Sequence, residues 1–359
     1  MKILFLNTNI GYGGASKMMV WFANTAACAG HDVSLLTYRI EDENQELKNG
    51  VKHFHIQIEE EGGRKHLLKS ILCIHRFIKE KDVEVAVAFL SPSQLRLSLA
   101  TLGTKTKLLF SHRGDPTLKT AGGWKNKILG AINRWAFRQA DFYVFQTKQA
   151  SQAFSPIIQS RSAVIPNPIT PLVRTADRAT SIEKRIVCIG RLDIRQKRQD
   201  LLIESFKRIT DRYPDYTLEL YGDGPDDKEL RFIAGDCSRI HFMGKTSDVV
   251  SAVQNASMLV LSSDFEGIPN ALLEAMSLGV PCISTDCTPG GAAMLIQDKQ
   301  NGLLVPRGDA DTLANAMEWF IEHPQERESM GVASKQVNVL FAEDKIGKEW
   351  LRVLDGLKS

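Results

Sequence analysis

No stretch of this sequence approaches the roughly 18 consecutive apolar residues of a membrane-spanning helix, so a helical membrane protein is not expected. The opening MKILFLNTNIGYGG has one lysine and a four-residue apolar run before Asn7, Asn9 and the glycines, too short for a secretory leader. The six cysteines (Cys28, Cys73, Cys188, Cys237, Cys282 and Cys287) form no CxxC pair, and several fall in apolar runs. Reduced, structural thiols in a cytosolic protein are the expectation. His53, His55, His66 and His75 lack metal-ligand spacing and read as surface or packing residues. Neither an internal repeat nor a low-complexity tract is present.

What is present is enough chain for two cores. With 359 residues, two domains of roughly 150–200 residues each are expected. The net charge of +3 hides an asymmetry: residues 1–166 carry 22 Lys/Arg against 13 Asp/Glu, and residues 167–359 carry 23 against 29. A basic first half predicts that one domain meets an anionic surface or ligand.

Short runs rich in Val, Ile, Leu and Phe recur between helical patterns: KILFLNT, DVSLLTY, VEVAVAF, KLLFS and DFYVFQT, then RIVCIG, YTLELYG, IHFMG, SMLVLSS, PCISTD and GLLVP. Strands without polar alternation, separated by helices, predict parallel sheets covered on both faces. Two such series predict an α/β protein of two doubly wound domains, joined by the proline-rich stretch 164–180. In such sheets ligands bind beyond the carboxyl ends of strands, and each motif below follows a strand.

GYGGAS places Gly11, Gly13 and Gly14 before a helix, where the backbone can approach a phosphate. A dinucleotide site would want GxGxxG, with glycine at the sixth position and an acid about 20 residues on, but Ser16 stands there and the second strand ends in TYR. A tight turn without ligand fits this loop equally well. IGRLDIRQKRQDLL sets Arg191 and Lys197 around a loop, a fork and a point charge suited to a diphosphate; a solvated basic loop is the alternative. In DFEGIPNALLEAMSLGVP, Glu266 precedes a helix start whose Gly267, Ile268 and Asn270 offer free N–H groups, and Glu274 lies on the apolar second turn. Carboxylates beside a phosphate cradle suit sugar hydroxyls, so both glutamates read as sugar readers. Asp309 and Asp311 form a DxD that opens a helix and reads as an N-cap, and no metal is expected.

The ordered set of an early GGA loop, SHRGDP, IPNPI, GRL with QKRQDLL, YGDGP, a glutamate pair spaced E-x7-E and NGLLVP resembles family 4 of the retaining, GT-B fold glycosyltransferases, from Lys2 to about Leu357. That resemblance implies two Rossmann-like domains facing across a cleft: an acceptor domain of residues 1–166, with a C-terminal helix at about 341–359 packing back on it, and a nucleotide-sugar domain of residues 167–340. It implies that Gly13 and Gly14 lie under the donor diphosphate, that Arg191 and Lys197 bind it, and that Glu266 sits by the donor sugar. The backbone of Gly267, Ile268 and Asn270 would hold phosphate and sugar, Glu274 would accept from ribose hydroxyls, and Gly244 would border the base. His112 or Arg113 would stand near the transferred sugar. Many relatives carry a Glu where this chain has Met294.

The implied activity is transfer of a hexose or N-acetylhexosamine, with retention, from a nucleoside-diphosphate sugar, UDP being the expected nucleotide, to a glycan or lipid-linked glycan of the polysaccharide or lipopolysaccharide type. No cofactor is expected, the nucleotide sugar being a substrate. The rivals are a nucleotide-sugar epimerase or hydrolase, or a non-catalytic subunit. WKNKILGAINRWAFR at 124–138 places two tryptophans among cations, with no acid between Asp115 and Asp141, which predicts peripheral contact with the anionic inner face of the membrane. RKHLLKSILCIHRFIKEK at 64–81 fits a packing helix with a basic face.

Overall fold

The computed structural model describes residues 1–11, 13–39, 46–56, 63–118, 124–169, 181–246 and 248–358. Two units result, Met1–Ile165 with Ile346–Ser359 and Pro166–Lys345. Most of the stretch expected as a linker, residues 170–180, lies outside the described residues.

In the first unit, β1 (Lys2–Asn7), β2 (Asp32–Thr37), β3 (Val51–His55), β4 (Val85–Ala88), β5 (Lys107–His112), β6 (Phe142–Phe145) and β7 (Ser162–Val164) form one sheet of order β3-β2-β1-β4-β5-β6-β7. Every pairing is parallel, with Ile3 opposite both Val33 and Val85. The crossovers include α1 (Gly14–Cys28), α2 (Gly63–Lys81), α3 (Ser91–Ala100) and α4 (Trp124–Phe137). Central strands such as Val85–Ala88 are buried throughout, as expected when helices cover both faces. Trp350 of the closing helix Glu343–Gly356 is fully buried in this unit, its ring centroid 4.4 Å from Phe22 and 5.6 Å from Phe89.

In the second unit, β8 (Glu183–Ile189), β9 (Thr217–Tyr221), β10 (Ile240–Gly244), β11 (Ala256–Leu261), β12 (Cys282–Thr285) and β13 (Leu303–Val305) form a six-stranded parallel sheet of order β10-β9-β8-β11-β12-β13. The chain runs outward from β8 in one direction and from β11 in the other. Loops after these two adjacent strands therefore diverge at their carboxyl ends, which is where a doubly wound sheet opens a crevice. The first unit has its equivalent reversal between β1 and β4.

Candidate active site

The loops leaving β8, β9 and β10 lie against one another at the carboxyl edge of the second sheet. Gly190 N–H donates to Tyr221 O at 2.9 Å, Leu192 N–H to Asp223 O at 2.8 Å, and Gly222 N–H to Gly244 O at 2.8 Å. The approach demands glycine: a Cβ on Gly222, whose φ is +143°, would fall 1.9 Å from the Gly190 oxygen. Arg191 is exposed, its carbonyl held by Gln199 Nε2 at 2.8 Å, and its guanidinium has no ion-pair partner among the described residues.

The loop after β11 meets the other side of the same edge. Helices Ile194–Lys197 and Gln199–Ile209 are separated by Arg198, which adopts a left-handed conformation (φ 50°, ψ 42°) worth roughly 1–2 kcal/mol of strain in a residue with a Cβ. Arg198 is held there by Asp200 and by Asp264 at 3.2 Å, and Ser262 Oγ donates to the carbonyls of Lys197 and Arg198 at 2.9 and 2.7 Å. The consequence is that Lys197 Nζ forms an ion pair with Glu266, whose Oε1 also accepts from Ser263 Oγ at 2.9 Å. Burial alone would lower the Lys197 pKa, but Glu266 outweighs it and raises the ammonium above its ordinary value. Cys188 and Cys287 share this environment, and burial pushes each thiol up to about 12, so both are protonated.

Pro269 ends the extended approach to helix Asn270–Leu278, whose first turn follows Glu266, Gly267 and Ile268 directly. Gly267 packs so closely on Gly291 that a Cβ on the latter would lie 1.4 Å from the Gly267 oxygen. Asn270 Oδ1 accepts from Asn167 Nδ2 at 2.6 Å, and Glu274 is buried on the second turn. Arg191, Lys197, Gly244, Glu266, Gly267, Ile268 and Asn270 thus share one sheet edge, with Glu274 behind it. Asn167, Gln196, Arg198, Ser263 and Asp264 complete this architecture and were not singled out by sequence; Asn167 and Gln196 do lie inside the IPNPI and QKRQD strings. The DxD has other employment: Asp309 caps helix Ala310–Glu322 through Thr312 N–H at 2.9 Å, and Asp311 pairs with Arg208.

In the first unit, Asn7 Nδ2 donates to Asn9 O at 2.8 Å and Ser16 Oγ at 3.1 Å, shaping the turn into α1. Gly13 has φ +146°, and among the described residues nothing lies within 4 Å of where its Cβ would be, leaving the backbone open to them at the helix start. His112 ends β5 with its ring 5.4–6.4 Å from those of Phe137, Phe145 and Phe154. Burial lowers its pKa to about 4, so the imidazole is neutral near pH 7. Arg113 turns the other way, its guanidinium 4.2 Å from the Phe89 ring and 5.6 Å from that of Trp350.

Residues 183–323, which carry the second-unit edge just described, match the family of glycosyl transferases group 1. Over 367 residues the chain is 25% identical to a GalNAc-alpha-(1->4)-GalNAc-alpha-(1->3)-diNAcBac-PP-undecaprenol alpha-1,4-N-acetyl-D-galactosaminyltransferase of Campylobacter jejuni, across 100% of this chain and 99% of that one. Sucrose-phosphate synthase from Thermosynechococcus elongatus superposes with a TM-score of 0.83 at 18% identity, covering 99% of both chains. Anabaena HepE in complex with UDP gives 0.77 at 19% identity, covering 99% of this chain and 100% of that one. Two Rossmann-like units, one bearing the matched domain, define the class: a glycosyltransferase of the GT-B fold. Arg191, Lys197, Glu266 and Glu274 all fall within its group 1 domain.

Proposed function

We propose that this chain is a retaining, metal-independent transferase that moves a hexose or N-acetylhexosamine from a UDP-sugar to a hydroxyl of a glycan or lipid-linked glycan. The observation that carries the reading is the Lys197 ammonium, kept charged by Glu266 between the Arg191 loop and the start of helix Asn270–Leu278. As the diphosphate departs, negative charge grows on its oxygens; Lys197, Arg191 and the N–H groups of Gly267, Ile268 and Asn270 are the preorganised partners for it. The acceptor oxygen bonds to the anomeric carbon on the face the diphosphate leaves, and its proton passes to the departing phosphate oxygen. Configuration is therefore kept without a protein nucleophile. Glu274 takes the ribose hydroxyls, Gly244 borders the base, and Glu266 stands by the sugar. On the first unit, Gly13 and Gly14 are assigned to the donor diphosphate and the acceptor, and His112 to the transferred sugar.

UDP is supported by the complex of HepE with that nucleotide, and a lipid-linked acceptor by the undecaprenol-linked glycan of the Campylobacter relative. A thermal-shift screen of UDP, GDP, ADP and their sugars, run with EDTA, tests the donor: a ligand at ~100 times its Kd stabilises by roughly 2.7 kcal/mol, enough to rank the bases. Incubation with donor alone separates the rivals, since free sugar or an epimer without acceptor would point to a hydrolase or epimerase.

A peripheral place on the inner membrane face completes the proposal. Helix α4 exposes Trp124 (69%), Ile128, Leu129, Ile132 and Trp135 alongside Lys127 and Arg134. An apolar stripe with flanking cations suits anionic headgroups, at about 1 kcal/mol per basic residue. Co-sedimentation with anionic vesicles should be lost in high salt and reduced by Lys127→Glu with Arg134→Glu. Equal, negligible binding to anionic and neutral vesicles would leave a soluble acceptor as the better reading.

A further inference from the structure

A second group of cations lies at the carboxyl edge of the first unit's sheet, on residues with no part in the donor site. Tyr38 follows β2, and its Oη is within 3.1 Å of both Thr8 Oγ1, after β1, and Ser93 Oγ, in the first turn of α3. That fixes the ring, over which the Arg96 guanidinium stacks at 4.1 Å. Arg96 Nε donates to Ser70 Oγ of α2 at 3.0 Å and Nη1 to Pro92 O at 3.0 Å. The fork is thus positioned by three elements, and no hydrogen bond engages Nη2 among the described residues.

Arg39, next to Tyr38, is exposed and without an ion-pair partner among the described residues, and His66 of α2 is buried nearby. Neither arginine meets a described carboxylate. Burial, followed by the charges of Arg96 and Arg39, holds the His66 pKa below its ordinary value, while burial and Arg39 do the same to Arg96. Arg96 and Arg39 are like charges at one sheet edge, where a bound anion would offset their repulsion. A planar guanidinium held in advance by stacking and two hydrogen bonds loses little further freedom on binding an oxyanion, which suits phosphate recognition.

We infer that Arg39 and Arg96 bind a phosphoryl group of the acceptor, the diphosphate of a lipid-linked glycan. This rests on the proposed transferase reading, and it gives the first unit a charged subsite that recognises the acceptor by its phosphates as well as its sugar.

The test is titration of geranyl diphosphate into the full chain saturated with UDP, so that the donor site is filled, with inorganic pyrophosphate and phosphatidylglycerol vesicles as separate arms. Wild type should bind geranyl diphosphate, and both Arg96→Gln and Arg39→Ser should weaken it roughly tenfold or more. UDP affinity should be unchanged in both. Arg39 is exposed and outside the packing network, so its variant remains informative if Arg96→Gln destabilises the unit. Equal affinity in wild type and Arg39→Ser overturns the inference, as does loss of geranyl diphosphate binding in Lys197→Ala alone. Reduced vesicle binding with unchanged geranyl diphosphate binding would assign the cations to lipid headgroups and also overturn it. Failure of UDP itself to bind would strike the donor reading and leave the arginine comparison intact.

Discussion

Lys197 and Glu266, 69 residues apart in the chain, form an ion pair at the carboxyl edge of the second sheet, with side chains only 19% and 9% exposed. An ion pair this buried is weak evidence for stability as such, because desolvation offsets much of the attraction. Its value is that it presents a charged ammonium in a dry place.

Lys197→Ala should therefore have two separable effects. Transfer should fall by orders of magnitude, since a contact that strengthens as the diphosphate leaves is lost. Stability should fall by about 3 kcal/mol, because Glu266 is left buried and unpaired. The double change Lys197→Met with Glu266→Gln should recover most of the stability and none of the activity. Near-normal turnover in either variant, measured under donor saturation, would remove Lys197 from the chemistry.

Glu274→Gln should raise the KM for donor more than it lowers kcat. Ribose contacts are the same in ground and transition states, so their loss weakens binding uniformly. An unchanged donor KM with reduced kcat would exclude the ribose role.

Gly291→Ala should abolish UDP binding without touching any charged group. The added methyl would lie 1.4 Å from the Gly267 oxygen, so the Glu266–Asn270 turn must move. Titration calorimetry decides; wild-type affinity in Gly291→Ala would show that this turn does not hold the nucleotide.

His112 makes a prediction in pH. Its pKa drops from 6.5 to about 4 on folding, so between those values the unfolded chain binds more protons than the folded one. Stability from this group is fully present above pH 6.5 and is lost as pH falls towards 4, at about 1.4 kcal/mol per unit at most. The difference in unfolding free energy between wild type and His112→Asn should shrink by up to about 3 kcal/mol over that range. Parallel curves would contradict the buried, neutral imidazole.

How much of this was legible in the sequence depended on where each residue sits. All six strands of the second unit coincide with apolar runs; inner strands such as β11 and β12 do so because a strand buried on both faces carries Val, Ile and Leu without alternation, and the largely exposed edge strand β10 does so through Ile240, Phe242 and Met243. The two strands that sequence reasoning omitted, β3 (VKHFH) and β7 (SAV), are the two edges of the first sheet, where one side is unpaired and the apolar demand is weaker. Arg191, Lys197, Glu266 and Glu274 stood out as charges set in or beside apolar runs. Asn167, Gln196 and Ser263 are uncharged loop or helix-end residues, and what they do appears only through partners such as Asn270, 103 positions from Asn167, or Phe265, 69 from Gln196. Arg198 was visible as a cation, but its left-handed backbone is set by Asp264 and Ser262, which no local pattern reveals.

The proposed transfer requires that the second unit hold a nucleoside diphosphate through Arg191 and Lys197 with no metal between them. Calorimetric titration of UDP into the full chain in excess EDTA tests this most directly, with wild type, Arg191→Ala and the Lys197→Met, Glu266→Gln pair compared under one buffer. Wild type should show one saturable site that chelator leaves unchanged and that both variants weaken by tenfold or more, about 1.4 kcal/mol. UDP binding that vanishes in EDTA, or that survives undiminished in both variants, would contradict it.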